Sequence, residues 1–419
     1  MFNRRKREIY TGVEIGSSMV KVVMGEFLPD DVLNIVGCGR RQSMRMMKGA
    51  IADARIVNEQ LMLALSDAEN SAGVEIGPVF LAVTGQGIRA TTTSGSTVIR
   101  GDNGKITEDD VQRTRSNAQA FALPPDKVVL HYADKRFVID GEREVLNPVG
   151  QVGSKLQADV TTIYGRNNAV QTNRQMLGEI MGYPDSGTAF SGMATGFGAF
   201  SRHEMERGAL IVDLGAGVTE YMMFLAPGVY HCGQVAVGCR NIVNDLSLGL
   251  RLSEAKAQQI LHQLSELGGS AVMNPDGRGR MKRIDVSANT TREIPLSAVE
   301  QIIDLRVREL FTIIARDLQA ANALDRIAAG ILLCGGGARI PGITELAEDT
   351  FKLPVQVGRP RLLSGEHEIV NSSRYVTPVG LLRWGKNYLD ELAAEPPPME
   401  QMRHDAGWLW DQLKRAFRW

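Results

Sequence analysis

Apolar runs of strand length, each broken by a carboxylate and then by glycines, stand at two places in this sequence and set its plan. Residues 209–212 form a continuous apolar run of the kind that fills a strand buried on both faces. It ends at Asp213, and Leu214-Gly215-Ala216-Gly217 follow with almost no side chain. Thr219 and Glu220 then lead into a second apolar run, residues 221–225. Residues 9–26 repeat the plan, with Val13-Glu14-Ile15-Gly16-Ser17-Ser18 lying on Val212-Asp213-Leu214-Gly215-Ala216-Gly217, an offset of 213 − 14 = 199 residues. A duplicated turn that opens a β-meander each time predicts two related α/β halves.

The rest of the pattern fills in around these turns. Residues 33–37 and 79–84 read as further strands. Between them residues 57–70 carry Leu61, Leu65 and Ala68 at helical spacing. From residue 88 to 164 the character changes to threonine-rich β segments, Gly101-Asp102-Asn103-Gly104, and a helix opened by Thr107 and Asp110 in a capping-box arrangement. We read a small inserted β/α domain there. Residues 171–181 are helical, and Ser191-Gly192 to Gly198 opens a small-residue helix that must pack closely on a neighbour. Residues 240–250 and 253–267 are helices, 268–289 is a Gly/Arg/Lys-bearing loop region, and 296–324 is a long amphipathic helix. An apolar strand from residue 329 runs into Gly335-Gly336-Gly337 and then a helix at about Thr344. Thr377-Pro378-Val379-Gly380 is expected as a third glycine turn before a final helix to about Leu392. Residues 393–407, with Pro396-Pro397-Pro398, form a linker, and the last twelve residues are a separate amphipathic element.

Bulk properties narrow the function classes. At 419 residues two or more domains are expected, and 43% apolar with 23% charged residues describes an ordinary globular chain. A formal charge of −1 gives no argument for nucleic-acid binding, which calls for a basic excess. Cys38, Cys232, Cys239 and Cys334 form no CxxC pair and the six histidines no HExxH, so structural disulfides and a zinc site are disfavoured and a reducing compartment fits. No stretch approaches the roughly 18 apolar residues of a membrane span.

A carboxylate beside a glycine turn suits phosphate and Mg²⁺: bare backbone N–H groups hold phosphate oxygens while the acid orients metal-bound water. Glu14 and Asp213 are the acids. Gly16, Ser17, Ser18, Gly215, Ala216, Gly217 and Thr219 are the turn residues. Lys21, five residues beyond Gly16, is a candidate for a β- or γ-phosphate. Gly335, Gly336 and Gly337 precede a helix N-terminus able to accept a phosphate or the face of a base. Each turn alone also fits a plain hairpin, and Lys21 also fits an edge-strand lysine.

Two acid-glycine hairpins followed by strand-GGG-helix, in this order, resemble the phosphate-1, phosphate-2 and adenosine motifs of the actin/Hsp70/sugar-kinase ATPase superfamily. Within it the chain is similar to the FtsA family of bacterial cell-division actins over essentially its whole length. The marks are Gly12-Val13-Glu14-Ile15-Gly16, Asn147-Pro148-Val149-Gly150, Gly330 to Gly337, Pro378 to Leu382, and the linker with its terminal helix.

The resemblance implies an actin-like fold around a cleft for ATP and Mg²⁺, with an inserted 1C domain in place of 1B. The expected partition is 1–87, 165–200 and 376–392 for subdomain 1A, and 88–164 for the 1C insert. Residues 201–244 and 329–375 form 2A, 245–328 form 2B, and 393–407 and 408–419 are linker and membrane helix. Three positions depart from the family pattern. Glu14 replaces Asp, which moves the carboxylate by about 1.5 Å. Lys256 and Gln259 stand where an acid and a lysine near the ribose are usual, leaving Glu254 as the acidic candidate. The second turn has Ala216 for Gly and Glu220 for Asp. Slow or no ATP hydrolysis is expected, since Met193-Ala194-Thr195 offers no obvious polar group to orient water.

The resemblance further implies polymerisation of the chain with itself, tethering of the FtsZ ring through its C-terminal tail, recruitment of later divisome proteins, and peripheral attachment at the cytoplasmic face of the inner membrane. Arg306 and Glu309, on the exposed face of the long helix, are the tail-binding candidates. At 100° per residue Leu409, Trp410, Leu413 and Phe417 fall in one arc. Asp411, Lys414, Arg415 and Arg418 lie opposite, and Trp408 and Trp419 flank the arc, as in an in-plane anchor for anionic lipid. A pilus-assembly actin relative of the PilM type and a small-molecule kinase are the alternatives. The terminal helix argues against the first, and the absence of a convincing additional carboxylate over an acceptor pocket argues against the second.

Overall fold

The structure, a computed structural model, describes residues 8–394 apart from residues 86, 101, 182–186, 268–280, 288–289 and 366–369. The terminal segment with Trp408, Leu409, Trp410, Leu413, Lys414, Arg415, Phe417, Arg418 and Trp419 lies outside the described residues.

The chain begins with a meander, β1 (Tyr10–Ile15), β2 (Met19–Phe27) and β3 (Leu33–Gln42), then a small hairpin of β4 (Met46–Met47) and β5 (Ala50–Ile51). Helix α1 (Ala54–Ala72) crosses to β6 (Val79–Val83), and β7 (Arg89–Val98), α2 (Glu108–Gln119), β8 (Lys127–Ile139), β9 (Arg143–Val145) and β10 (Lys155–Arg166) follow. Then come α3 (Asn167–Met181), β11 (Gly187–Phe190), α4 (Ser191–Ala199) and α5 (Arg202–Glu206). A second meander, β12 (Ala209–Leu214), β13 (Thr219–Leu225) and β14 (Gly228–Val235), leads into α6 (Cys239–Leu250), α7 (Glu254–Leu267), β15 (Met281–Ser287), β16 (Thr290–Pro295) and α8 (Leu296–Ala320). The chain closes with β17 (Ile331–Cys334), α9 (Ile343–Phe351), β18 (Val355–Val357), β19 (Leu363–Gly365) and α10 (Val376–Ala394).

The duplication foreseen from the turns extends to whole sheets. The first sheet runs β19-β3-β2-β1-β6-β11 and the second β14-β13-β12-β17-β18, so the five strands from β3 to β11 repeat in the second and β19, parallel to β3, is an added edge. In each, the meander pairs are antiparallel and the two following pairs are parallel. Their central strands are buried on both faces, which is why they read as unbroken apolar runs. Helices α6 and α8 bury Leu246, Val299, Val307, Phe311 and Ile314 in one core with Leu210 and Val212, while α1 lies on β3 and β2 and buries Leu61, Leu65 and Ala68 in another core.

Strands β7, β10, β8 and β9 form a separate sheet on which α2 lies, with its own core of Ile106, Val111, Phe137, Leu156 and Val160. The capping box at its helix is formed in both directions: Thr107 Oγ1 accepts from Asp110 N at 3.2 Å, and Asp110 Oδ2 accepts from Thr107 N at 2.9 Å.

Two expectations are corrected. Part of the supposed loop at 268–289 is strand: β15, where Lys282, Arg283 and Asp285 interrupt the apolar pattern, pairs antiparallel with β16. Thr377 to Leu382 is not a turn but the first stretch of α10. Pro378 sits where a missing N–H costs nothing, and Gly380 serves a helix crossing, since a methyl there would lie 1.8 Å from the Ala194 carbonyl oxygen of α4. Among the described residues no helix is long and apolar enough to cross a membrane.

Candidate functional site: two acid-glycine turns face to face

Each turn is built by its own hairpin. Gly16 N–H donates to the Met19 carbonyl at 3.0 Å and Gly215 N–H to that of Val218 at 3.1 Å. A methyl on Gly16 would lie 2.9 Å from the Met19 oxygen, and one on Gly215 2.7 Å from that of Val218, so the turn itself requires both glycines. The hairpins set Glu14 opposite Lys21 and Asp213 opposite Glu220, keeping the 199-residue offset across the strand pair (220 − 21 = 199).

The two turns touch. A methyl on Gly217 would stand 2.7 Å from Ser17 Oγ, while Ser17 Oγ accepts from Gly49 N–H at 3.0 Å. The third motif closes on the second: Gly335, at φ +81°, would carry a methyl 2.3 Å from Asp213 Oδ1, and Gly337 one 2.8 Å from Leu214 Cβ. Glu14, Ser17, Lys21, Asp213, Gly215, Gly217, Gly335 and Gly337 thus lie together where the two turns and the glycine loop meet. Gly336 is open: the nearest atom to a methyl there is Arg374 Nε at 4.0 Å. Ser18 is exposed and holds Ser43 N–H through its carbonyl. Ala216 gives its carbonyl to Arg240 N–H at 2.9 Å, at the start of α6. Thr219 is buried, and its hydroxyl goes to the Val237 carbonyl at 2.9 Å rather than into the cleft. Glu254 is exposed in the first turn of α7.

The cleft concentrates negative charge. Burial raises Glu14, Lys21 opposes that, and Asp213 raises it again; burial likewise raises Asp213, against Lys21, Thr377 and Thr195. Glu220 is pushed up to about 7 by burial, against hydrogen bonds from Ser191 and Thr84 and with Asp213 adding to the rise. Lys21 Nζ is taken up by Glu14 Oε2 at 2.7 Å and the Arg374 carbonyl at 2.5 Å. Buried Glu220 and the part-buried Glu14 and Asp213, with one committed lysine beside Glu14, favour either protons or a divalent cation.

Asp213 Oδ2 accepts from Thr377 Oγ1 at 3.1 Å and has Thr195 Oγ1 3.5 Å away, while no hydrogen bond to Oδ1 occurs among the described residues. No group of three or more ligand side chains lies among the described residues, so Mg²⁺ fits here only with water and phosphate completing its shell.

Several cleft residues escape sequence reasoning. Thr195 is polar and donates to the Ser191 carbonyl, and with Thr377 it steadies Asp213. Glu220 ties the halves together, accepting from Thr84 Oγ1 at 2.8 Å, Gly85 N–H at 3.2 Å and the Ser191 hydroxyl. Arg339, two residues after the last of the three glycines, forks onto Glu266 at 3.0 and 2.9 Å, and Arg374 reaches the same carboxylate at 2.9 Å. Burial raises Glu266, but these two arginines hold it below its usual value. The acid nearest the glycine loop on α7 is therefore Glu266, about 18 Å along the helix from Glu254.

A second feature lies between α6 and α8, a groove of about 390 Å³ lined by Asp245, Leu248, Ile302, Leu305, Arg306 and Glu309. Leu248 and Leu305 are 70% and 65% exposed. Arg306 departs from expectation. It is half-buried, donating to Asp245 at 2.6 and 3.0 Å and to Glu309, because α6 brings Asp245 against the face that helical spacing alone leaves in solvent. Glu309 is exposed.

A family model described as cell division protein FtsA matches residues 210–380, and one described as SHS2 domain inserted in FTSA matches residues 85–164. Cell division protein FtsA of Neisseria meningitidis serogroup B is 30% identical over 406 residues, 96% of each chain. That of Pseudomonas aeruginosa is 29% identical over 379 residues, 90% of this chain and 89% of the relative. A chain of the PilM-PilN type IV pilus biogenesis complex superposes with a TM-score of 0.62 at 16% identity, covering 91% of this chain and 99% of the other. MreB5 of Spiroplasma citri bound to ADP does so at 0.54 and 14%, covering 93% and 99%. The fold is thus the mixed α/β actin-like fold with an SHS2 domain inserted.

Proposed function

Since the chain belongs to the FtsA family of cell-division proteins, we propose that it binds ATP between its two halves, polymerises on the cytoplasmic membrane, and tethers FtsZ there while recruiting later division proteins. The observation that carries the nucleotide part is the contact of the two acid-glycine turns at Ser17 and Gly217, with Gly335 packed on Asp213. Bare N–H groups of the turns take phosphate oxygens, and the Asp213 carboxylate, steadied by Thr195 and Thr377, orients water on Mg²⁺. Mg²⁺ offsets the excess of buried acid and screens the phosphates. Gly336, open in the adenosine motif, faces the nucleoside. That MreB5 of Spiroplasma citri, of the same fold, is bound to ADP supports a nucleotide on this fold. In this reading the chain divides as an actin homologue does, with 1A and 2A carrying the turns, α7 and α8 in 2B, and the insert as 1C.

The α6–α8 groove is the proposed dock for the FtsZ tail. Its charges sum to one negative, Asp245 and Glu309 against Arg306, so Leu248 and Leu305 supply the attraction and Arg306 shapes the wall. The twelve C-terminal residues are the proposed anchor. One short amphipathic helix holds lipid weakly, and a polymer presents many, so residence on the membrane follows polymerisation. The FtsA relatives, at about twice the sequence identity of the pilus protein, favour this reading over pilus assembly. The test is co-sedimentation with anionic vesicles, with and without Mg-ATP, of the full chain and of a truncation after Gly407, each with FtsZ. The full chain should pellet with FtsZ in an ATP-dependent way and the truncation should stay in solution; equal pelleting of both refutes the anchor.

A further inference from the structure

The lysine that the sequence offers to a phosphate is already committed, because Lys21 Nζ is held by Glu14 and by the Arg374 carbonyl. A polyphosphate brings several negative charges to a cleft that already holds three acids, so cations other than Lys21 must meet it. Two stand beside the turns, and neither has a carboxylate partner among the described residues.

The first is Arg240, in the first turn of α6. Its backbone N–H is fixed to Ala216 of the second turn at 2.9 Å, and its guanidinium reaches across to the first half. Nη2 donates to the Ser17 carbonyl at 2.6 Å and Nη1 to the Met46 carbonyl at 2.6 Å. One residue therefore sets the spacing between the two acid-glycine turns, and a guanidinium has further N–H donors to spare.

The second is Lys48, at the tip of the β4–β5 hairpin. That tip is a two-residue turn, Lys48-Gly49, with φ at +50° and +78°, the backbone that a tight hairpin of this twist demands. It is seated on both turns at once: Gly49 N–H donates to Ser17 Oγ, and Lys48 Cα lies 3.1 Å from where a methyl on Gly217 would stand. Lys48 is exposed, a point charge on a flexible four-carbon stem beside the seam of the turns.

We propose that the hairpin at residues 43–51 is the lid of the phosphate site, latched by Arg240 and carrying Lys48 as a ligand for the terminal phosphate of a nucleoside triphosphate. This rests on the nucleotide reading above. Arg240 is a positioning residue, since it holds the turn backbones at the separation the phosphates need. Lys48 is a contact residue that discriminates a third phosphate from two.

The test measures the affinity of the full chain for Mg-ATP, Mg-ADP and adenosine by calorimetry, in wild type, Lys48→Ala, Arg240→Gln and Arg240→Lys. Lys48→Ala, at an exposed position, should lose roughly tenfold or more in ATP affinity, as for a hydrogen bond to a charged group, with ADP and adenosine little changed. Arg240→Gln should lose affinity for ATP and ADP together and leave adenosine unchanged, and Arg240→Lys should restore part of it. An ATP-to-ADP affinity ratio in Lys48→Ala equal to that of wild type overturns the ligand role. Equal losses for adenosine and ATP in Arg240→Gln overturn the latch. Failure of wild type to bind any of the three brings down the nucleotide reading itself, an outcome distinct from both.

Discussion

Gly335 and Gly336 of the adenosine motif separate a demand of the fold from a demand of the ligand, and alanine at each tests which is which. At Gly335 the φ of +81° costs an alanine about 1–2 kcal/mol. Its methyl would also sit 2.3 Å from Asp213 Oδ1 and 2.6 Å from the Leu214 carbonyl oxygen, so the strand end or the carboxylate must move by nearly an ångström. Overpacking of that kind costs about 1–3 kcal/mol more. Gly335→Ala should therefore lose about 2–5 kcal/mol of stability; at about 2–4 °C per kcal/mol for a unit of 150–250 residues, its melting temperature falls by several degrees or more without any ligand.

Gly336 sits at φ −69° and ψ −32° with nothing nearer than Arg374 Nε at 4.0 Å. Alanine fits that backbone and gains about 0.4–1 kcal/mol by restricting the unfolded chain. If the bare backbone at 336 exists for a nucleotide, Gly336→Ala is as stable as wild type or more so, yet binds ATP roughly fivefold or more weakly, the factor that about 1–3 kcal/mol of overpacking against the ligand implies. Thermal unfolding without ligand and a fluorescent-nucleotide titration read the two quantities separately. Wild-type affinity in Gly336→Ala would show that no ligand approaches there.

Asp213→Asn should weaken Mg-ATP roughly tenfold or more by removing a charge-assisted contact, and it should also raise the melting temperature of the ligand-free chain by relieving a buried acid; unchanged ATP affinity refutes the assignment. Glu220 titrates in the native state at about 7, above its unfolded value, so the folded chain binds the extra proton and this group's contribution to stability declines as pH rises from about 4.5 to 7. Glu14 and Asp213, also raised, act in the same direction, and Glu220→Gln should flatten part of the slope of melting temperature between pH 5 and 7.5; equal slopes in variant and wild type contradict the carboxylate's placement. In the α6–α8 groove, Leu305→Asp should abolish binding of an FtsZ tail peptide, and Arg306→Glu, which sets a third carboxylate beside Asp245 and Glu309, should weaken it strongly. Calorimetry showing intact tail binding in both places the dock elsewhere.

The turns were legible because their causes are local. Gly16 is required by an oxygen three residues away and Gly215 by its counterpart, so the same pattern recurs at a fixed offset, and the sheets built on it repeat in order and sense. The capping box at Thr107 and the apolar stripes of α1 and α8 are local in the same way. What stayed hidden depends on partners far along the chain. Lys21 reads as a free cation until residue 374 supplies the carbonyl that takes it, and Arg306 reads as exposed until Asp245, 61 residues earlier, arrives on α6. Gly380 shows how the same letter misleads. A glycine after proline fits a turn, yet here it lets α10 lie against α4, and only the position of the Ala194 carbonyl distinguishes the two uses. Arg240 gives no local hint, being one arginine at a helix start, and its two acceptors lie about two hundred residues back. Sequence pattern thus locates the two turns and the glycine loop, while the bridge that Arg240 makes between them is fixed by packing between halves. Substitutions at Lys48 and Arg240 should accordingly shift phosphate recognition while leaving both turns and both sheets intact.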